Sequence, residues 1–390
     1  MLDTVKPREQ SGRDTFGRYR AQIRSTAINA LRILEGKEID RVYCDVHDDI
    51  VIRLKKGNSH VFVFLQVKTK DKQNHNWTTN DLLNIPETAR DLDKHKLKVK
   101  DSFLGKLIRH TIFFDKSCIQ IVFQTNINNS DPINALIKDL ELQSFSNRHS
   151  KFLLEKFNEI FINSDERELE EIDIKEQLSK LVFQTDVQYL KSGDDNFIPL
   201  ARESIYKYSE IDLQREELQE ILINLLDLIS KKTESIIKDW TLENIENMSG
   251  ISIDDLLDVL SISKDAYYSL VAGEDNKAVK NASIIQRMLR NTSADASLVK
   301  KCSELKIDWD VWLRDKRHDI SVLDLESIID TTRQVVAENL QGNNFKFSKL
   351  RSVAKDILEE LEISNLKYNL TEELILGSIF SQLVKDKTWS

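Results

Sequence analysis

Proline and glycine are scarce, with 4 and 10 copies in 390 residues, which favours long helices and few loops. Cysteine is scarcer still. Cys44, Cys118 and Cys302 lie far apart with no CxxC spacing, which gives no indication of a zinc site or a disulfide framework and fits a reducing compartment. No apolar run approaches the ~18 residues of a membrane span, and the N-terminus has no apolar core of signal-peptide length. The sequence therefore predicts a soluble, cytoplasmic protein. A GxxxxGK[ST] phosphate loop is missing, which argues against ATP hydrolysis by this chain, and no GxSxG nucleophile motif occurs. Repeats of fixed period and low-complexity tracts are lacking as well.

The hydrophobic fraction, 40%, suffices for a sizeable core, and the length suits two domains. The net charge of -9 hides an asymmetry. Residues 1 to 125 hold 23 Lys and Arg against 16 Asp and Glu, whereas residues 126 to 390 hold 33 against 49. A basic N-terminal part suits a polyanionic partner, because cations that neutralise phosphates supply most sequence-independent DNA affinity. Candidate phosphate contacts are Arg18, Arg20 and Arg24 on the first helix and Lys70 and Lys72 beyond the second strand of a hairpin, with His47 near its base.

That hairpin carries the recognisable chemistry. Two strand-like runs, Val42 to Leu54 and His60 to Lys70, flank Lys56-Gly57-Asn58-Ser59. A two-residue primed turn at Gly57-Asn58 sets Asp49 opposite Gln66 and His47 opposite Lys68. Alternation puts Asp45, His47 and Asp49 on one face of their strand, and Gln66 and Lys68 on one face of theirs. Val61, Val63, Leu65 and Val67 are apolar, as are Phe62 and Phe64, so the second strand reads as central and buried on both sides.

Phosphodiester hydrolysis gives these residue types a purpose. Mg2+, with Mn2+ as a substitute, takes oxygen ligands from one or two carboxylates plus substrate phosphate and keeps several waters. Asp49 is the expected principal ligand, with the Gln66 carboxamide oxygen and the Val67 carbonyl as further donors. Lys68 would orient or deprotonate the attacking water and offset charge on the phosphoryl oxygens. The alternative without chemistry is an Asp49–Lys68 cross-strand ion pair.

Asp45-Val46-His47-Asp48-Asp49-Ile50 followed by Phe64-Leu65-Gln66-Val67-Lys68-Thr69 resembles the PD-(D/E)xK nuclease fold in its QxK variant. More narrowly, it resembles the dsDNA endonuclease domain at the N-terminus of bacterial antiphage effectors. Gly17-Arg18-Tyr19-Arg20-Ala21-Gln22 matches the first helix of that domain, which directs a polar residue to the metal site. The resemblance implies active-site roles for Gln22, Asp49, Gln66 and Lys68. Asp45 falls where relatives often carry glutamate.

Periodicity outlines an α+β fold: a restriction-endonuclease-like mixed sheet flanked by helices, then an all-α C-terminal domain. Residues 14 to 35 read as a helix ended by Gly36, and Thr78-Thr79-Asn80-Asp81 reads as an N-cap cluster. A basic helical stretch runs to about residue 110, followed by strands at Ile112 to Phe114 and Ile119 to Gln124. Helices at 132 to 146, 149 to 162 and 167 to 180 precede a last strand in Leu181 to Tyr189. Expected domains are 1–205, with a nuclease core at 12–130, and 206–390 for partner binding and oligomerisation. From about 209 onward the expectation is of helices alone: 211 to 231, 252 to 262, 283 to 291, 321 to 340, 346 to 363 and 371 to 386.

An acidic helical C-terminal domain is similar to that of the nuclease subunit in Lamassu-type defence systems. That likeness implies an SMC-like ATPase and a small accessory subunit as partners, inhibition within their complex and activation by self-association. Two alternatives stand beside it: a non-catalytic DNA-binding or adaptor subunit, and the nuclease effector of a cyclic-oligonucleotide system, whose sensor module would need apolar strands. Trp309 and Trp312, three residues apart, read as helix core.

Overall fold

The computed structural model describes residues 10–36, 38–70, 75–163, 167–191, 196–209, 215–290, 296–316, 319–339 and 347–388. Two compact units result, one of residues 1–203 and 222–253, the other of 204–221 and 254–390. The first therefore takes in the segment 222–253, which lies C-terminal to the boundary at 205 expected from sequence.

Helix α1 (Gln10–Leu31) opens the first unit and ends through a 3-10 turn, where Gly36 adopts φ +70° and its amide donates to the Ile33 carbonyl at 3.0 Å. Left-handed backbone of that kind is where glycine carries no Cβ penalty. Strands β1 (Ile39–Val46), β2 (Asp48–Lys56) and β3 (Ser59–Lys68) follow as an antiparallel meander. Val42 to Leu54, one strand in the sequence reading, is thus two strands folded at His47. The reason is local. Asp45 and His47 take φ +52° and +65°, values that Asp and His tolerate better than most side chains.

The β2–β3 register is the one expected. Ile50 faces Leu65, Val51 faces Phe64 and Lys56 faces Ser59, and Gly57 supplies the positive φ of +60° that the first position of a primed turn requires. After β3 come α2 (Thr79–Leu83), α3 (Lys96–Val99), α4 (Phe103–Phe113) and β4 (Cys118–Thr125). Thr78 caps α2 with a reciprocal capping box to Asp81. Ile112 and Phe113, expected to begin a strand, instead complete α4. A short apolar run reads the same in either state.

Helices α5 (Asp131–Glu141), α6 (Arg148–Phe161) and α7 (Glu171–Ser179) lead to β5 (Leu181–Gln184), which pairs in parallel with β4 as β4 does with β3. Next come α8 (Phe197–Ser209), α9 (Arg215–Glu234), α10 (Leu242–Ser249) and the two-residue strand β6 (Gly250–Ile251). The sheet order is β5-β4-β3-β2-β1-β6. In β6, Gly250 faces Tyr43 and Ile251 faces Val42. A Cβ at Gly250 would come within 2.7 Å of the Glu246 carbonyl oxygen and 2.9 Å of the Arg41 side chain, so the edge strand admits only glycine there.

One sheet face buries Val51, Phe64, Phe123 and Tyr43 in a core shared with α4 to α7. Alternation places the buried Ile50, Ile52, Leu65 and Val67 on the other face. Helix α1 is tied to that side, because Ser25 Oγ donates to Gln124 Oε1 at 2.6 Å and Gln124 pairs with Val67. Asp139 organises the entry to α6. Its carboxylate accepts from the hydroxyls of Ser144 and Ser150, from that of Ser146 at 2.9 Å and from the Asn147 amide at 3.0 Å.

In the second unit the described elements are helical: α11 (Ile253–Val259), α12 (Lys264–Ala272), α13 (Ala278–Arg290), α14 (Ala296–Lys316), α15 (Val322–Asn339), α16 (Phe347–Ile363) and α17 (Glu372–Thr388). Helices α14 and α17 pack so tightly that a Cβ on Gly377 would approach the Leu305 carbonyl oxygen within 2.1 Å. Trp309, buried, stacks on Trp312 with centroids 5.2 Å apart, core of one helix as expected. Among the described residues, no helix is long and apolar enough to cross a membrane.

Candidate active site

The β2–β3 register brings Asp49 to the end of β3. Asp49 Oδ2 accepts from the Val67 amide at 2.7 Å and from Lys68 Nζ at 3.0 Å. Both donors come from the same short segment, so the carboxylate is fixed against the strand that carries Gln66. Gln66 is buried, and its Oε1 has no hydrogen-bond partner. A buried carbonyl oxygen without a donor costs about 1–3 kcal/mol, and a cation would satisfy it. Oxygen donors from Asp49 and Gln66 suit a hard divalent ion. Among the described residues, no group of three or more His, Cys, Asp or Glu could hold a metal, so any ion here would depend on few protein ligands.

Two residues of the corner escaped the sequence reading. Asp48 Oδ1 accepts from the Asp49 amide at 2.9 Å, and Asp48 Oδ2 lies 3.0 Å from His110 Nε2. His110 stacks on Phe64 with centroids 4.5 Å apart. The pair thus clamps the backbone of Asp49 from α4. The sequence offered one signal, an acid beside the expected ligand, but nothing to choose His110 among seven histidines. Burial raises the Asp48 carboxyl above the ordinary carboxylate range despite the His110 hydrogen bond, and the nearby Asp49 adds to the rise. Asp45 is raised as well, first by burial and then by repulsion from Asp49 and Asp48, with Lys68 acting the other way. Three carboxyl groups, Asp45, Asp48 and Asp49, thus influence one another at a corner where Lys68 meets Asp49.

The remaining expected residues scatter. Gln22 is half-buried on α1, one turn from Ser25, and Asp45 raises the Tyr19 phenol on the preceding turn after burial and Glu234. Its helix thus passes the corner, on the reverse side of the sheet from the Gln66 and Lys68 side chains. Among the described residues, Gln22 makes no hydrogen bond to Asp49, Gln66 or Lys68. Arg18 and Arg20 are exposed. Arg24 is not available to phosphate: it is buried, donates to the Lys191 carbonyl at 3.0 Å and lies over the Phe197 ring. The helical period that put it beside Arg20 turned it inward. Lys70 donates to Asp81 at 2.9 Å and covers the Trp77 ring. Lys72 lies outside the described residues. His47 stands at the corner itself and not across from Lys68, because the chain folds there; its ring meets Phe114 edge-on at 5.1 Å. Val67 contributes its amide to Asp49, and its side chain is buried on the α1 face.

The model of the Cap4 dsDNA endonuclease domain matches residues 10–248. The chain belongs to this family. The match extends from α1 through α10 and so spans the corner and five of the six strands. It establishes that the chain carries a Cap4-type nuclease domain. No curated protein matches the sequence. Solved structures similar to the chain include the Acinetobacter baumannii Cap4 SAVED/CARF-domain containing receptor with the cyclic trinucleotide 3'3'3'-cAAA, at TM-score 0.37 and 14% identity over 72% of this chain and 49% of that one. The same receptor with 2'3'3'-cAAA aligns at TM-score 0.38 and 14% identity over 76% and 58%. The chain spans about half the length of these structures.

Proposed function

We propose that this protein is a metal-dependent DNA endonuclease that hydrolyses phosphodiester bonds of double-stranded DNA as the effector of a bacterial antiphage defence system. One observation carries the reading: Asp49 Oδ2 receives Lys68 Nζ and the Val67 amide beside the partnerless Gln66 Oε1. Asp49 and Gln66, with the Val67 carbonyl, would hold Mg2+ or Mn2+; bound there, the ion would polarise the phosphate and lower the pKa of a water. Lys68 holds its ammonium at the end of β3, where it orients the attacking water and balances charge on the phosphoryl oxygens. Asp48 and His110 keep Asp49 in place. Gln22 would act from α1, across the sheet from Gln66 and Lys68, and Arg18, Arg20, His47 and Lys70 would guide the duplex.

The finer reading is a Lamassu-type nuclease subunit in the bacterial cytoplasm, held inactive by an SMC-like ATPase and a small accessory subunit. Release would allow self-association, which a single site per chain needs in order to cut both strands. The helical second unit supports this assignment over a cyclic-oligonucleotide sensor, because its described elements include none of the apolar strands such a module requires.

Purified protein, Asp49→Ala and Lys68→Ala should be compared on plasmid and linear duplex with Mg2+ or EDTA across protein concentrations. Metal-dependent cleavage that rises steeply with concentration and is lost in both variants is expected. Undiminished cleavage by either variant would overturn the site. Co-purification with an SMC-like ATPase, together with loss of cleavage in that complex, tests the partner assignment.

A further inference from the structure

On the sheet face that carries Gln66, an apolar pocket of about 240 Å3 is lined by Tyr43, Val51, Phe62, Phe64, Phe114 and Leu242. It begins one step along the strands from the catalytic corner. Val51 pairs with Phe64, and each lies two residues along its strand from Asp49 or Gln66, about 7 Å away at strand spacing. His47 also lines the pocket, two residues from Asp49 in sequence. Close by stands Trp240, 64% exposed, with its ring centroid 6.2 Å from that of His47. A large aromatic side chain left mostly in water next to an open aromatic cavity is a surface for a further contact.

We propose that this pocket receives one nucleobase of the DNA, drawn out of the stack beside the scissile phosphate, with Trp240 and His47 as the stacking rim. The inference rests on the nuclease reading above. Size favours a single ring system, because pockets for whole drug-sized ligands start near ~300 Å3. Lining chemistry favours a π-face, which every base has. Charge disfavours a phosphate: the cation in the wall, Arg53, is committed to Asp40 at 2.9 and 3.0 Å and to Glu246 at 2.5 Å. The Tyr43 phenol, pushed up to about 12 by burial, stays protonated and can donate to a base edge. His47 lines the pocket with its ring 6.2 Å from that of Trp240, a placement suited to stacking.

The test uses the full chain with EDTA, which holds off cleavage, and a short duplex carrying a single mismatched 5-iodouracil. A mismatch lowers the cost of extrusion, and ultraviolet cross-links to this base report aromatic side chains in contact with it. Cross-links at Trp240, His47 or Phe114 are expected, with about tenfold weaker binding of the mismatched duplex by Trp240→Ala. Leu242→Ser, also at an exposed position, serves as a second variant. Cross-links found only elsewhere, or parental binding by both variants, would overturn the pocket. Cleavage in Mg2+ is scored separately. Protein that cross-links at Trp240 yet never cuts would retain the pocket and remove the nuclease reading; protein that cuts but cross-links elsewhere would remove the pocket alone.

Discussion

Each unit of this protein sets a lysine against carboxylates, and the two settings differ in what is left over. In the second unit Lys306 Nζ donates to Asp275 and Asp310 at 2.7 Å each; Asp275 also accepts from Asn281 Nδ2 at 2.7 and 2.9 Å, and Asp310 accepts from the Ser381 hydroxyl at 3.1 Å. Burial opposes both charges there, but their mutual attraction holds Asp275 below and Lys306 above its ordinary value. In the first unit Lys68 has Asp49, while Asp45 and Asp48 are pushed up by burial and by their acidic neighbours. An orphaned amide oxygen occurs in both, at Asn281 and at Gln66, so an orphan alone marks nothing. The difference lies in pairing: Lys306 meets two carboxylates whose oxygens also accept from Asn281 and Ser381, whereas among the described residues Lys68 meets Asp49 alone, and Asp45 and Asp48 are raised chiefly by burial.

Exchanging the lysines breaks this comparison most directly. Lys68→Met should reduce metal-dependent DNA cleavage by about a thousandfold, while its urea midpoint stays near that of the parent. Lys306→Met should do the reverse, retaining cleavage per folded molecule and losing about 2 kcal/mol of stability in urea unfolding, because the half-buried Asp275 and Asp310 lose their shared buried partner. Parental stability of Lys306→Met would show that its network is ornamental.

Gln66→Glu sharpens the point from the other side. A carboxylate at the orphan position should tighten Mn2+ binding about tenfold in calorimetry, and unchanged affinity would remove Gln66 from the metal site. Asp48→Asn keeps an acceptor for the Asp49 amide but loses the charge that meets His110. A fall in kcat of about tenfold with little change in KM is expected, and equal changes in both would point to DNA binding instead.

The smallest effect concerns a satisfied acid with no lysine. Burial would raise Asp139, but the hydroxyls of Ser144, Ser150 and Ser146 and the Asn147 amide hold it well below the usual carboxylate range. A depressed folded pKa adds stability above the unfolded value of ~3.9 that is lost as pH falls through the folded one. Asp139→Asn should therefore cost about 2 kcal/mol near neutral pH and flatten the acid limb of the melting temperature between pH 4 and pH 2 relative to the parent. An unaltered acid limb would mean that other groups govern it.

The central pairing was legible because the signals agreed. Gly57-Asn58 fixed the turn, and the apolar run from Val61 to Leu65 marked a strand buried on both sides. The break at His47 was hidden because Val42 to Leu54 contains no glycine, proline or asparagine; the turn uses Asp45 and His47 in positive φ, and an Asp-x-His placement was the available clue. His110 could not be found because its partnership with Asp48 spans 62 residues of sequence and has no periodic trace. Arg24 was misplaced because a helix with polar residues on every side hides which of them turns inward. Strand β6 is two residues long, shorter than any pattern can show.

That short strand decides where the protein can be cut into pieces. The family match ends at 248, two residues before Gly250, so a fragment trimmed to the match would leave the outer edge of β1 at Val42 and Tyr43 with bare amides and carbonyls. Such an edge templates pairing with another chain. A fragment ending at 248 is expected to aggregate where one ending at 253 stays monodisperse, so gel filtration of the two would separate a defect of solubility from a defect of catalysis.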